Sequence, residues 1–487
     1  MSNKKNFFKP VQVVLLASVF SFTLGAGMMV FLQSYNQTLA SALESLKNAV
    51  ASVSFTEEPV VNALSNKSDG AVTFKDDPFN VHFEVTQIEP EQKAEVTGDI
   101  ADKVLSDYQN RIAPEFEIPD LIFNQTKFWF RIYTEFDSNK KVIHDSLHPH
   151  IIYDIVDVAD IMALPANASW LNVVKAQKAV AKRTNDIRNK LRKMSKKKEE
   201  DMDAEELGWL AQFKEIKGNQ KRIILMAAQS LRVQTGQKDF FENGLAVSGR
   251  YIQGMETIFK AKKLPIELTR LPFVESSFAI GATSKVGAAG IWQFMPGIGR
   301  QFMTVNDQFD ERRNPWKATE AAAKLLKENY TILHKNWGLA LTAYNHGPGG
   351  VRLAMKKTGT KDIAKIVRTY RSRNFDFASA NFFTCFLAAV HAQMYRDILW
   401  ADHVADTNLA YDSTKLKKSV KATQLMQTLG VSAEQILLYN PELDRSFKHN
   451  SLIPKGYKIF TPAQIKTAEQ IQTVSKKEGS SASMTVQ

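Results

Sequence analysis

Leu264-Pro265-Ile266-Glu267-Leu268-Thr269-Arg270-Leu271-Pro272-Phe273-Val274-Glu275-Ser276-Ser277-Phe278 is the stretch on which fold and chemistry turn. Pro265 suits a first helical turn, where its missing N–H would be unpaired anyway. Leu264, Leu268 and Leu271 recur at helical spacing, so a helix with one buried face is expected. Glu275 then falls at the helix end, between Val274 and Ser276-Ser277-Phe278. Apolar neighbours and the negative end of the helix dipole both favour its protonated form, which a general acid needs near neutral pH. A helix-end glutamate is more often simply solvated, so its surroundings have to decide.

Two blocks follow downstream. Ala282-Thr283-Ser284 leads into Val286-Gly287-Ala288-Ala289-Gly290-Ile291-Trp292-Gln293-Phe294-Met295-Pro296, and Leu341-Thr342-Ala343-Tyr344-Asn345-His346-Gly347-Pro348-Gly349-Gly350-Val351 comes later. In order and content the three blocks resemble the motifs of the soluble-lytic-transglycosylase (SLT) domain, a lysozyme-like glycoside hydrolase family. The resemblance covers about residues 250–400, and the domain order is similar to the membrane-bound transglycosylase D group. It implies that Glu275 is the catalytic acid and base and that Ser284 lies near the reacting sugar. It also implies that Gln293 and Met295 line the groove and that Tyr344 and Asn345 stand beside the glutamate. Taken singly, Met295 and Tyr344 read equally well as ordinary core.

Two positions depart from the family pattern. A late Asn-Tyr or Asn-Phe-Tyr element is replaced by Asn381-Phe382-Phe383, with Phe383 taken as the groove residue. A phenolic hydrogen bond to the glutamate or to the sugar acetamido group is then missing or supplied from elsewhere. His346 stands where alanine is common and would add a polar contact at the groove.

Ordinary glycosidases pair two carboxylates, yet no Asp or Glu occurs from Ser276 to Asn306. Asp307, Asp310 and Glu311 open an Asp-x-Arg-x-x-Pro stretch expected to order a loop and the helix after it. The resemblance implies a one-carboxylate reaction on the bond between N-acetylmuramic acid and N-acetylglucosamine, ending in 1,6-anhydro sugar. It requires neither metal nor cofactor. Two rivals are a hydrolytic muramidase, opposed by the missing second acid, and a non-catalytic peptidoglycan-binding protein, opposed by the intact glutamate.

Outward from this centre, 487 residues with 44% apolar content suit two or three globular domains. The net charge of +12 favours an anionic partner, but no basic-aromatic module points to nucleic acid. Cys385, the single cysteine, excludes an intrachain disulfide and reads as a small buried hydrophobe. Residues 1–10 carry Lys4, Lys5 and Lys9 and precede the uncharged apolar run 11–33, long enough to span a bilayer. The run reads as an inner-membrane signal anchor with the remainder in the periplasm; cleavage near Gly25-Ala26-Gly27 is the alternative.

Residues 34–79 read as a linker and 80–245 as an N-terminal mixed domain. Within it Lys127 to Phe136 suggests a strand partnered by Val142-Ile143 and by Ile151 to Val158, with helix from about 164 to 260. His144, His148 and His150 are placed in a solvated loop rather than at a metal. Residues 246–402 form the catalytic domain, 413–465 a LysM-like wall-binding unit marked by Asn440-Pro441 and Pro454-Lys455-Gly456-Tyr457, and 466–487 a disordered tail. The expected fold class is mainly α: a lysozyme-like helical catalytic domain, preceded by a small mixed β/helical domain and followed by a small LysM-like α+β appendage. The expected partners are peptidoglycan glycan strands and the inner membrane, reached through the N-terminal helix.

Overall fold

A helix occupies the place where composition suggests the first strand. In the computed structural model, which describes residues 98–164 and 169–463, α1 (Gly98–Leu105) is followed by α2 (Phe123–Thr134). The aromatic and β-branched residues of α2 suit a strand by propensity. Phe128, Trp129, Phe130, Ile132 and Tyr133 are all buried, however, so the segment is apolar nearly all round and must be enclosed. The long helix Phe377–Met394 encloses it: Gln125 Nε2 and Trp129 Nε1 both donate to Asn381 Oδ1, at 2.8 and 2.9 Å. Tertiary packing overrides the local preference. The expected anchor (11–33), linker (34–79) and tail (466–487) lie outside the described residues. Among the described residues no helix is long and apolar enough to cross a membrane.

The later strands do form. β1 (Lys140–Asp145) pairs antiparallel with β2 (Ile152–Asp157), and the register shifts between Ile143 and His144. α3 (Ser169–Met194), α4 (Ala204–Lys214) and α5 (Gln220–Ala227) follow. A third strand, β3 (Leu231–Thr235), then returns to pair with the free edge of β1, inside a region expected to be all helix. These elements close a small separate core that includes Ile143, Tyr153, Leu191, Trp209 and Phe213. His144 corrects the solvated-loop expectation. It sits on β1, fully buried against Phe128 and Phe377, and burial together with the Arg232 charge drives its pKa down to about 3.

The main core runs from Ala101 to Leu399 and takes in Tyr439 and Phe460 of the C-terminal unit. It takes in α1, α2 and α6 (Lys238–Ser248) together with α7 (Ile252–Ala261). No break in packing therefore falls at 245/246; the separate small core is confined to the sheet and its helices. Next come α8 (Leu271–Glu275), α9 (Pro296–Phe302), α10 (Pro315–Ile332), α11 (Trp337–His346), α12 (Pro348–Thr358) and α13 (Ile363–Thr369). The central element is α14 (Phe377–Met394), in which every residue from Ser379 to Gln393 is buried.

In the C-terminal unit β4 (Tyr411–Lys415) leads through β5 (Val420–Lys421) to α15 (Ala422–Leu429) and α16 (Ala433–Tyr439). Gly430 ends α15 in a left-handed conformation and the Ser432 side chain caps α16. β6 (Leu452–Ile453) then pairs with β5, and β7 (Lys458–Pro462) with β4. The unit is bolted to α10 by charge as well as by apolar contact, the Trp316 and Tyr411 rings lying 4.4 Å apart. Lys317 Nζ of α10 lies 2.7 Å from Glu311 Oε1 and 2.8 Å from Glu442 Oε1, above the Tyr457 ring. Asn314 Nδ2 and the Tyr457 hydroxyl donate to the same Glu442 carboxylate. Lys317→Met would strand two buried carboxylates, at an expected cost of about 3 kcal/mol or more. Chemical denaturation measures that loss, with faster proteolysis in the irregular segment 401–410 as its structural readout. A loss under about 1 kcal/mol would mean that apolar contacts alone hold the unit in place.

Candidate active site

Glu275 owes its position to what precedes and follows it. A 3-10 turn, Ile266–Arg270, leads into α8 and is pinned by the buried Arg270. Arg270 Nε donates to Gln393 Oε1 of α14 at 2.8 Å and Nη1 to Glu256 Oε1 of α7 at 2.6 Å. Glu275 is the last residue of α8. Immediately beyond it Ser277 and Phe278 adopt φ of 49° and 58°, an expensive conformation for residues with a Cβ. The reversal returns Phe278 against Phe273, with ring centroids 4.7 Å apart, and Ser276 Oγ donates to Ile291 O at 2.9 Å.

The result is a carboxyl only 8% exposed. Among the described residues nothing hydrogen-bonds to it, and burial alone pushes its pKa up to about 8. No neighbouring charge contributes to that rise, so the group is neutral at pH 7 and can donate a proton.

The second sequence block forms a tight loop facing this helix end. Ser284 Oγ accepts from Ala288 N at 2.9 Å, and Ala289 bridges both Thr283 and Phe294. Gly290, at φ 73°, is obligatory, since a Cβ there would stand 1.9 Å from Arg312 O. Arg312 donates to Gly287 O and Phe294 O while paired with Asp310. Glu311 accepts from Thr304 N and pairs with Lys317, and Asn314 caps α10. The acids of the Asp-x-Arg-x-x-Pro stretch are thus committed to ordering the loop and α10. Gln293 takes φ 47° and donates from Nε2 to Gly290 O, while Met295 is 41% exposed at the start of α9.

The third block ends α11. Tyr344 donates from its hydroxyl to Trp292 O at 2.8 Å, joining the second block to the third. Burial, and then the Glu275 charge, hold its phenol well above the usual range, which places it in the electrostatic field of the glutamate. Asn345 is exposed, and its Oδ1 accepts from Ser379 Oγ at 3.2 Å. His346 does not reach out as a groove contact: its ring lies over Gly350, edge-on to Phe375, with Nδ1 3.0 Å from Ser379 Oγ.

Phe383 does not join this group. It packs on Gly338 at the start of α11, six residues and roughly 9 Å of helix before Tyr344. There, with Tyr330, Trp337 and Ile363, it lines a separate cavity of about 420 Å³. The residue that sequence reading missed is Tyr133, at the end of α2. It stacks on Phe241 at 5.2 Å, and Phe241 stacks on Phe273 at 4.7 Å, two residues before Glu275. Burial, the hydrogen-bonded Cys385 and the Glu275 charge all raise its pKa. Cys385 is buried, as expected, and its thiol is pushed well up. The strand-like composition of Lys127 to Phe136 concealed a phenol that packs beside the glutamate helix.

Comparison with known proteins bears on this region. Residues 257–367 match the family described as Transglycosylase SLT domain. The membrane-bound lytic murein transglycosylase D of Escherichia coli (strain K12) is 39% identical over 98 residues, 20% of this chain and 22% of that protein. A putative tributyltin chloride resistance protein of Alteromonas sp. (strain M-1) is 30% identical over 112 residues, 23% of this chain and 54% of that protein. The chain thus spans less than a quarter of the length of the first relative and about half that of the second. Among solved structures, the 70 kDa soluble lytic transglycosylase of Escherichia coli aligns at 16% identity and a TM-score of 0.29. That alignment covers 62% of this chain and 43% of that one. Glu275, the loop that faces it and the Tyr344–Asn345 end of α11 all fall within the matched span, and the chain carries a Transglycosylase SLT domain over residues 257–367.

Proposed function

We propose that this protein is a peptidoglycan lytic transglycosylase that cleaves the β-1,4 bond between N-acetylmuramic acid and N-acetylglucosamine and leaves 1,6-anhydro ends. The observation that carries the proposal is Glu275 itself, buried at the end of α8 without a hydrogen-bond or charged partner among the described residues, so that burial pushes its pKa up to about 8. Its proton passes to the glycosidic oxygen as the bond to C1 breaks, and the leaving N-acetylglucosamine departs with a 4-hydroxyl. The substrate's own acetamido oxygen stabilises the cationic C1. Glu275, now a carboxylate, takes the proton of the muramoyl 6-hydroxyl as that oxygen closes onto C1, which regenerates the acid without water. Ser284, Gln293, Met295, Tyr344 and Asn345 are assigned to the substrate groove around it.

The SLT domain and the murein-acting Escherichia coli relative support this reading. That relative's description as membrane-bound, together with the apolar run 11–33, supports a cell-envelope enzyme anchored in the inner membrane. We assign residues 413–465 as a LysM-like glycan-binding unit. In support, Asn440 of the Asn-Pro element exchanges hydrogen bonds with Phe460 of β7 at 2.7 and 2.8 Å, fixing strand to helix.

Purified full-length protein should release anhydromuropeptides from sacculi, each one water lighter than a reducing product by mass spectrometry, and Glu275→Gln should release none. Reducing muramic ends would make the reaction a hydrolysis and overturn the proposal.

The raised acid also sets a pH dependence. Turnover needs protonated Glu275, so the rate should fall as pH rises through about 8. Stability has the same sign: the folded pKa lies above the ordinary value of 4.5, so the fold is favoured below 4.5. That advantage is lost at roughly 1 kcal/mol per pH unit as pH climbs to about 8. Glu275→Gln removes this decline. Denaturation at pH 5 and pH 8 should therefore show the variant gaining on the wild type at the higher pH, whereas parallel behaviour would mean that Glu275 is solvated.

A further inference from the structure

We infer that the junction between the small sheet and α13 is a second substrate contact, a notch in which Arg368 and Arg371, flanked by His148 and His150, bind carboxylates of the peptide stems carried by the glycan strand. The inference rests on the proposed action on peptidoglycan and adds to it a site outside the groove that recognises peptide.

The four cationic or titratable groups come from two distant parts of the chain. His148 and His150 lie in the connection between β1 and β2, with ring centroids 6.0 Å apart. Arg368 is in the last turn of α13 and Arg371 just beyond it. Arg368 Nη2 donates to His148 Nδ1 at 3.3 Å, so a hydrogen bond joins the two parts. Arg371 Nη1 donates to Val367 O and Tyr370 O, which leaves the other face of its guanidinium uncommitted to those carbonyls. Among the described residues neither arginine forms an ion pair with a carboxylate.

The nearest acids are occupied. Asp145 accepts from the backbone of Leu147 and His148 and from Ser230 and Tyr153. Asp376 caps α14 through Ala378 N. The cost of gathering these groups is visible in their proton affinities. Burial, then His148 and Arg368, push His150 down to about 4, while burial lowers Arg368 and both burial and Arg368 lower Arg371. His150 Nδ1 is buried without a hydrogen-bond partner. The Asp145 charge acts on His148, but the two arginines have no carboxylate of their own among the described residues, and a planar guanidinium fork suits an incoming carboxylate.

A chain of side-chain contacts links the notch to Asn345. Phe375, in the turn between α13 and α14, packs on Tyr370 on one side and on His346 on the other, and His346 adjoins the exposed Asn345. The sugars of a glycan strand held against Asn345 are uncharged, so its negative charge is on the peptides that branch from it. Those peptides are the part of the substrate able to reach the notch and to neutralise it.

The test separates this binding from catalysis. Glu275→Gln full-length protein is titrated with glycan strands bearing native stem peptides, and with the same strands after conversion of the peptide carboxylates to amides. The native strands should bind about tenfold more tightly at low salt, with the preference shrinking as salt screens it. Adding Arg368→Gln and Arg371→Gln should abolish the preference in a variant whose circular dichroism spectrum shows that it remains folded. Arg368→Lys with Arg371→Lys, which keeps the charge, should retain most of it. Equal binding of both strand types by Glu275→Gln protein, or a preference that survives loss of both arginines, would overturn the inference. Neither result depends on whether the wild type cuts, so failure of the proposed reaction would be seen separately, in the products.

Discussion

Keeping one carboxyl out of water and away from any countercharge is the constraint around which the rest of this molecule is arranged. Holding Glu275 near a pKa of 8 rather than 4.5 corresponds to roughly 5 kcal/mol of discrimination against its charged form. That discrimination requires apolar walls behind the carboxyl. Phe273 and Phe278 supply the nearest, at the cost of two left-handed residues directly after the helix. Arg270 prevents the short helix from drifting by binding α7 and α14 at once. The outer wall comes from beyond the SLT span, since Phe241 of α6 stacks on Phe273 and Tyr133 of α2 stacks on Phe241.

This dependence explains why the core does not stop where the motif-bearing segment does. Asn381 accepts from both Gln125 and Trp129, so the helix at the centre of the main core uses its polar residue to dock a helix from the N-terminal region. One helical turn further along the same face, Cys385 meets the Tyr133 phenol. The hydroxyl that α14 lacks at Phe382 and Phe383 is thus present near the glutamate, on another element. A catalytic segment excised at residue 246 would lose Phe241 and Tyr133 together and open Glu275 to solvent from behind.

What sequence could and could not disclose follows from the range of the forces involved. The end of α8, the Asp-x-Arg-x-x-Pro loop and the α15–Gly430–Ser432–α16 turn are set by local backbone chemistry, and each forms as expected. α2 was misread because aromatic and β-branched residues signal burial as readily as strand, and enclosure by α14 decides between them. β3 is five residues long and exists because the edge of β1 was free, a fact about a partner some ninety residues earlier. The side on which Phe383 packs is not legible in sequence, because a helix buried on every face, as α14 is, carries no pattern to say which side meets the glutamate. His144 looked solvated beside His148 and His150, yet the alternation of β1 turns it inward onto Phe128.

Desolvation is used here in two opposite ways, and the contrast bears on how a polymer is held while one bond is cut. At Glu275 burial removes charge, leaving a neutral acid that a neutral sugar can approach without an electrostatic penalty. At the α13–β1 junction, partial burial of Arg368 beside the exposed Arg371 raises the cost of a positive charge that it cannot shed at neutral pH, and an incoming anion offsets that cost. An acid that must stay protonated and a cluster that must stay cationic are poorly placed together, because bringing such cations beside Glu275 would stabilise its carboxylate and lower its pKa. Separating them along the groove, with Phe375 and His346 as an uncharged spacer at neutral pH, lets the substrate's own architecture do the joining: sugars at one end, peptide carboxylates at the other.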